Sequence, residues 1–296
     1  MTRPAQKLTD HAALDRIDGL IANWDFEMSA SPWKVKLWRL RSIPLGLRPA
    51  PAAAILKPVT PVERWNCYFL FLPTGTLSAA QRFSLARLRE LEGELLVICA
   101  APTPSNVPDE LHALSTALIW KGLSGYDFSA YSIALHEIAE RSPGADVFVM
   151  NDSVLGPFDG LEAMLENAPW ELTGFTASSA MENHLQSYAF QMRSVTPERV
   201  RALRTVMPQH TAYNHFHAVV SMQETRFARV AAQTMKVGAF WFADADRLGD
   251  PSLFAGPALL EAGLPFLKRS LLDRYGSIHD QERLRALLSA RGHPVE

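Results

Sequence analysis

Four short apolar runs, separated by segments of helical period, constrain this chain more than any other feature. They lie at 65–72 (WNCYFLFL), 94–101 (ELLVICAA), 117–120 (ALIW) and 146–150 (DVFVM). Runs this short and this continuously apolar suit strands buried on both faces. Between them, 78–91, 109–116 and 131–140 repeat their apolar residues at helical spacing, and Ser78 stands where an N-cap belongs. The alternation β-α-β-α-β-α-β implies a mainly parallel, Rossmann-like α/β sheet with right-handed crossovers and helices on both faces. Such sheets bind ligands beyond the carboxyl ends of their strands. The loops 73–76, 121–130 and 151–157 leave strands at that edge.

The second half is less regular. Strands are expected at 171–177, 187–192 and 236–242, and helices at 197–206, 223–235, 252–261 and 281–290. The first sixty residues differ again. Segment 31–60 holds Lys34, Lys36, Arg39, Arg41, Arg48 and Lys57, no acidic residue, and Pro32, Pro44, Pro49, Pro51 and Pro58. Prolines at this density argue against one continuous helix. The expectation is a short amphipathic piece at 33–41 and then an irregular linker. This gives a basic, Pro-rich arm over 1–62 and one α/β domain over 63–296. Trp33, Leu37, Trp38 and Leu40 interleave with the cations. Two readings stay open: an arm packed on the domain, or a peripheral anchor to anionic membrane.

Composition removes several classes of function. A net charge of −2 over 296 residues gives no global attraction to nucleic acid. Residues 1–10 are polar and no apolar run is long enough to span a bilayer, so cytoplasmic work is expected. Cys67 and Cys99 sit in apolar runs and read as buried thiols. The motifs of P-loop kinases, dinucleotide oxidoreductases and α/β-hydrolases are absent from the sequence. His215 and His217 lack a nearby acidic cluster, which argues against zinc.

Four segments have the residue types for chemistry. Gly125-Tyr126-Asp127 lies between a strand and a helix. Glycine there lets backbone approach a ligand, and Asp127 either contacts a ribose or base or caps the helix. Asn151-Asp152-Ser153 ends a strand. Asp152 either holds Mg²⁺ or Mn²⁺ against a diphosphate or belongs to a turn. Glu182, His184 and Gln186 offer a base, a pH-sensitive donor and an amide, or a polar strand edge. An inverting sugar transfer needs a base for the acceptor hydroxyl, and Glu182 or His184 fits that need. Lys268 and Arg269 either meet a leaving diphosphate or begin a helix as a solvated pair. Asp127, Asp152, His184 and Lys268 are expected to line one cleft.

Together, SGYDFSAYSIAL, DVFVMNDSVLGPF, ELTGFTASSAMENHLQSYAFQMRS and DPSLFAGPALLEAGLPFLKRSLL resemble the rhamnan synthesis protein F family of bacterial polysaccharide glycosyltransferases, over roughly residues 65–275. The resemblance implies a glycosyltransferase A-like fold and a nucleotide-sugar donor. It implies a glycan or lipid-linked glycan acceptor in O-antigen, capsule or rhamnan assembly. Rhamnose or a galactofuranose-like sugar is the implied cargo. Two departures stand out. An R-x-N-x-G-Y-D-like loop is replaced by Lys121-Gly122-Leu123-Ser124-Gly125-Tyr126-Asp127, and Asn-Pro-Thr by Asp250-Pro251-Ser252. The altered loop motivates an alternative: a non-catalytic homologue that binds sugar or partner enzymes in an assembly complex. A third reading is an unrelated α/β binding domain, whose polar loops would not converge.

Overall fold

The computed structural model describes residues 17–294; the polar segment 1–10 lies outside them. Among the described residues, fourteen strands form in chain order: β1 (Leu20–Asp25), β2 (Leu47–Pro49), β3 (Ala53–Lys57), β4 (Arg64–Phe71), β5 (Glu94–Ala100), β6 (Ala117–Lys121), β7 (Ala145–Asn151), β8 (Val154–Leu155), β9 (Leu172–Ser178), β10 (His184–Leu185), β11 (Ala189–Val195), β12 (Thr211–Tyr213), β13 (Val237–Ala243) and β14 (Leu267–Lys268). The central sheet runs β1-β13-β9-β11-β7-β4-β5-β6-β3, with β10 paired to β9. Strands β4, β5, β6, β7, β9 and β13 share one direction. Strands β1, β3 and β11 oppose it. The sheet is mixed but mostly parallel, as expected.

The continuous hydrophobicity of the middle strands has the expected cause. Trp65, Cys67 and Phe69 of β4 face one apolar cluster with Tyr131 and Leu135 of the helix Tyr126–Arg141. Tyr68 and Leu70 face the other, with Leu85 and Leu88 of the helix Ala79–Arg89. Successive side chains point to opposite faces of a strand, so a run with both faces covered needs apolar residues throughout. Cys67 and Cys99 are free and buried on opposite faces. Ser78 accepts from Gln81 N and the Gln81 side chain accepts from Ser78 N, completing a capping box.

Three expectations need correction. The segment expected as an irregular linker is ordered: the helix Trp33–Gly46 runs past 41, β2 pairs with β12, and β3 is the edge partner of β6. Pro44 falls inside the helix near its end, and Pro49 ends β2. Strand β3 itself contains no proline, so the ladder to β6 loses no donor. The expected boundary near 62 therefore falls between two strands of one sheet. Second, the helix expected at 131 begins at Tyr126, because Gly125 at φ 86° turns the chain sharply into it. A Cβ at Gly125 would lie 2.7 Å from Ser129 Oγ, so the position needs glycine for both conformation and space. Third, the helix expected at 223–235 is the end of a longer rod. It comprises Phe216–Val219, a π-helical turn Val220–Glu224 and Thr225–Ala231.

Candidate functional site

A cleft of about 840 Å³ opens at the carboxyl ends of β4, β6, β7 and β9. Phe69 and Phe71 bring β4 to it, Tyr126 and Asp127 the turn after β6, and Asn151, Asp152 and Ser153 the turn after β7. His184, Gln186 and Tyr188 come from the return after β9. Lys268 enters from β14, which pairs with β8 just beyond β7. The expected convergence of Asp127, Asp152, His184 and Lys268 on one cleft is thus met. The unrelated-domain reading, which needed the polar loops to scatter, loses its basis.

A hydrogen-bonded chain orders the floor. Asn151 Nδ2 donates to Asp127 Oδ2 at 3.1 Å and to Tyr131 Oη at 2.9 Å. Asn151 Oδ1 accepts from Ser153 N at 3.0 Å and from Ser153 Oγ at 2.5 Å. Lys268 Nζ reaches Ser153 Oγ at 3.4 Å and lies 5.0 Å from the Tyr188 ring centre. Asp127 is not the N-cap; that place belongs to Gly125, whose N–H donates to Asn214 Oδ1 at 3.0 Å. Burial, then the charge of Glu224, pushes the Asp127 carboxyl up to about 6.

Asp152 is held by its neighbours on one oxygen. Its Oδ2 accepts from Phe71 N at 3.0 Å and Gln81 Nε2 at 2.9 Å. Burial raises its pKa, against these hydrogen bonds and the charge of Arg269. Arg269 is exposed and is not among the lining residues; its N–H donates to Ser153 O at 2.9 Å. The His184 ring is buried and donates from Nδ1 to Glu182 O at 2.8 Å. Burial lowers its pKa, which favours the neutral ring at pH 7.

Glu182 departs from expectation. Its side chain is absent from the cleft lining and fully buried. It forms ion pairs with Arg39 and with Arg229, the latter at 2.9 Å, and accepts from Ser31 Oγ at 2.5 Å. A carboxylate between two guanidinium groups is a poor proton acceptor. Gly125 also supports the wall from outside the lining.

Sequence reasoning missed Glu224, which lines the cleft from the π-helical turn. Its Oε1 accepts a long bond from Ser187 N, 3.4 Å. No local pattern marks it, because it reads as the first turn of an ordinary helix. Asp250 was noticed only as a departure. It lines the cleft and accepts from Gln186 Nε2 at 2.8 Å while capping Pro251–Phe254. Lys121 is fully buried, and its ammonium donates to Gly122 O and Ser124 O at 2.9 and 2.8 Å. The altered loop is therefore braced from within.

Among the described residues, the carboxylates close enough to share one ion are Glu92, Glu162 and Glu166, off the cleft, with Glu162 already paired to Arg64. Asp152 fits a divalent cation as a single carboxylate ligand: it lines the cleft, and among the described residues its bonds from Phe71 N and Gln81 both fall on Oδ2. The remaining ligands would come from a diphosphate and water.

The fold is thus a mostly parallel sheet with flanking helices and a cleft at its carboxyl edge. The family model described as rhamnan synthesis protein F matches residues 95–289. This chain belongs to that family, and is a glycosyltransferase of polysaccharide synthesis. No curated protein sequence matches it. Among solved structures, the inositol-1-phosphate CTP transferase from T. maritima is similar at 8% identity and TM-score 0.35, over 60% of this chain and 88% of that one. S. aureus TarS is similar at 8% identity and TM-score 0.35, over 77% and 42%. A putative nucleotide-diphospho-sugar transferase from Desulfovibrio desulfuricans G20 is 12% identical at TM-score 0.32, over 78% and 99%.

Proposed function

We propose that this enzyme moves rhamnose, or a galactofuranose-like sugar, from a nucleoside-diphosphate donor to a glycan or lipid-linked glycan. The work would take place in the cytoplasm, at the inner face of the cytoplasmic membrane, with peripheral contact through residues 31–60. The observation that carries the reading is the cleft, where Asp127, Asn151, Asp152 and Lys268 converge at the carboxyl edge.

The donor lies against the turns after β6 and β7. Asp127, fixed by Asn151, takes a ribose hydroxyl or the base; Tyr126, exposed at the rim, offers its ring as a platform. Lys268, with Arg269 just outside, offsets the charge that develops on the departing diphosphate. A divalent cation, when bound, would be held by Asp152 and would neutralise the same diphosphate oxygens. Glu224 takes the proton of the acceptor hydroxyl as that oxygen bonds to the anomeric carbon. The bond to the diphosphate breaks and carries its electron pair away, so the configuration inverts. Glu224 is favoured over His184 because the His184 ring is buried. It is favoured over Glu182 because that carboxylate is ion-paired away from the cleft.

The test is a panel of nucleotide sugars screened by thermal shift with and without Mn²⁺, followed by a transfer assay. A true donor raises the melting temperature by mass action and is consumed when acceptor is added. No stabilisation by any member sinks the reading. Stabilisation without turnover returns the non-catalytic alternative.

A further inference from the structure

The helix Trp33–Gly46 is packed inside out. At 3.6 residues per turn, Val35, Arg39, Ser42 and Gly46 fall on one stripe, and Trp33, Leu37, Leu40 and Pro44 on the opposite one. The stripe against the protein is the small and polar one: Val35, Ser42 and Gly46 are buried. A Cβ at Gly46 would lie 2.6 Å from Ala218 Cβ, so the two backbones approach closely there. The apolar stripe faces solvent, with Trp33 69%, Leu40 68% and Leu37 42% exposed. Leu45 and Ile43 add to it at the helix end. Lys34, Lys36 and Arg41 flank the stripe and Arg48 follows it, all exposed. No acidic residue occurs between Glu27 and Glu63.

A surface helix of a folded protein ordinarily turns its apolar stripe to the core. Here polar contacts hold the reverse arrangement. Arg39 donates from Nε to Ser221 O at 2.8 Å and from Nη2 to Thr225 Oγ1 at 3.0 Å, beside its ion pair with Glu182. The Ser42 and Ser221 hydroxyls meet at 3.0 Å. The helix could not roll its leucines inward without stripping Glu182 of one partner. An apolar ridge between cations has the chemistry of a helix lying in the headgroup layer of an anionic bilayer.

We infer that the outward stripe of this helix is a docking surface for an anionic lipid bilayer. Trp33, Leu37 and Leu40 enter the headgroup layer, and Lys34, Lys36, Arg41 and Arg48 meet lipid phosphates. Charge complementarity selects the lipid over a second copy of the chain, since two such faces would bring like charges together. The opposite side of the same helix borders the cleft. Trp38 packs 5.5 Å from the ring of His217, and His217, Phe216 and Glu224 line the cleft. A bilayer seated on the helix therefore lies one helix away from the cleft's acceptor wall; that last placement rests on the proposed sugar transfer, whereas the lipid contact does not.

The experiment is vesicle co-sedimentation of the full chain. Phosphatidylglycerol–phosphatidylethanolamine vesicles are compared with phosphatidylcholine vesicles, for the parent and for Trp33→Ser combined with Leu40→Ser. Both substituted side chains are exposed, and an unchanged melting temperature checks that the fold is kept. The parent binds anionic vesicles at least tenfold better than neutral ones, and the double variant loses at least tenfold on anionic vesicles. Lys34→Gln with Lys36→Gln weakens binding and flattens its salt dependence. Equal vesicle binding by parent and double variant overturns the inference, as does a parent that ignores anionic vesicles. A parent dimer that the double variant abolishes, with no vesicle binding, overturns it in favour of a self-interface. Donor stabilisation is measured on every variant, so failure of the sugar-transfer reading shows separately.

Discussion

Asn151 donates to Asp127 across 3.1 Å, and that bond ties the turn after β7 to the first turn of the helix Tyr126–Arg141. The acceptor it serves has an elevated pKa. Folded Asp127 keeps its proton up to about pH 6, against an ordinary value of 3.8. Between those values the folded state binds more protons than the unfolded one. Stability therefore falls as pH rises through the window, and the loss is complete above it. A rise of about two pKa units corresponds to on the order of 3 kcal/mol. Asp127→Asn should remove this contribution. Its melting temperature should gain on the parent's between pH 4 and pH 7, and equal pH dependence in both would refute the assignment.

Asp152→Asn should keep the fold, because the amide oxygen can still accept from Phe71 N and Gln81. The negative charge is lost. Turnover should fall roughly 100-fold or more, the scale on which one electrostatic stabiliser acts, and chelator should abolish parent activity. If turnover survives both treatments, Lys268 and Arg269 carry the diphosphate without a metal.

Glu224→Gln should lower kcat by about 10²- to 10⁴-fold, the range for losing a general base. Donor-induced stabilisation should be unchanged. The same substitution should lower the pKa of Asp127, because the Glu224 charge helps to raise it. A variant that turns over within threefold of the parent shows that another group takes the proton.

Glu182→Ala should act on stability. It leaves Arg39 and Arg229 without their buried counter-ion, at a cost of about 3–5 kcal/mol. Denaturant titration measures this. A loss below about 1 kcal/mol together with a lost activity would return Glu182 to a role in the chemistry.

Removing residues 1–60 should yield aggregated protein, because it strips β1 and β3 from the sheet and bares β13 and β6. Size-exclusion chromatography decides this; a monodisperse truncated protein would contradict it. The two serine substitutions on the outer helix stripe are thus the cleaner probe of lipid contact.

The strands between 65 and 150 were legible within a residue or two because burial on both faces leaves a local mark: nearly every inner position is apolar, Asn66 being a buried exception. The carboxyl edge then placed Asp127 and Asp152 together. Other features depend on partners remote in sequence. Glu182 looks like a free carboxylate until Arg229, 47 residues away, is brought beside it. Glu224 has no local signature at all. Strands β2 and β3 were masked by prolines that end strands or stand outside them. The outward face of Trp33–Gly46 was half legible: its Trp and Leu residues were visible, but which stripe was buried was not.

Both margins of the sheet are supplied by the start of the chain. Leu20 sits opposite Ala243 in β1, and Ile55 opposite Ile119 in β3. During synthesis β1 emerges before most of the sheet and has no partner until β13 has been made. The β1 margin of the sheet can therefore close only after β13 is in place. Long-range pairing of this kind is slow, and it exposes apolar chain in the interval.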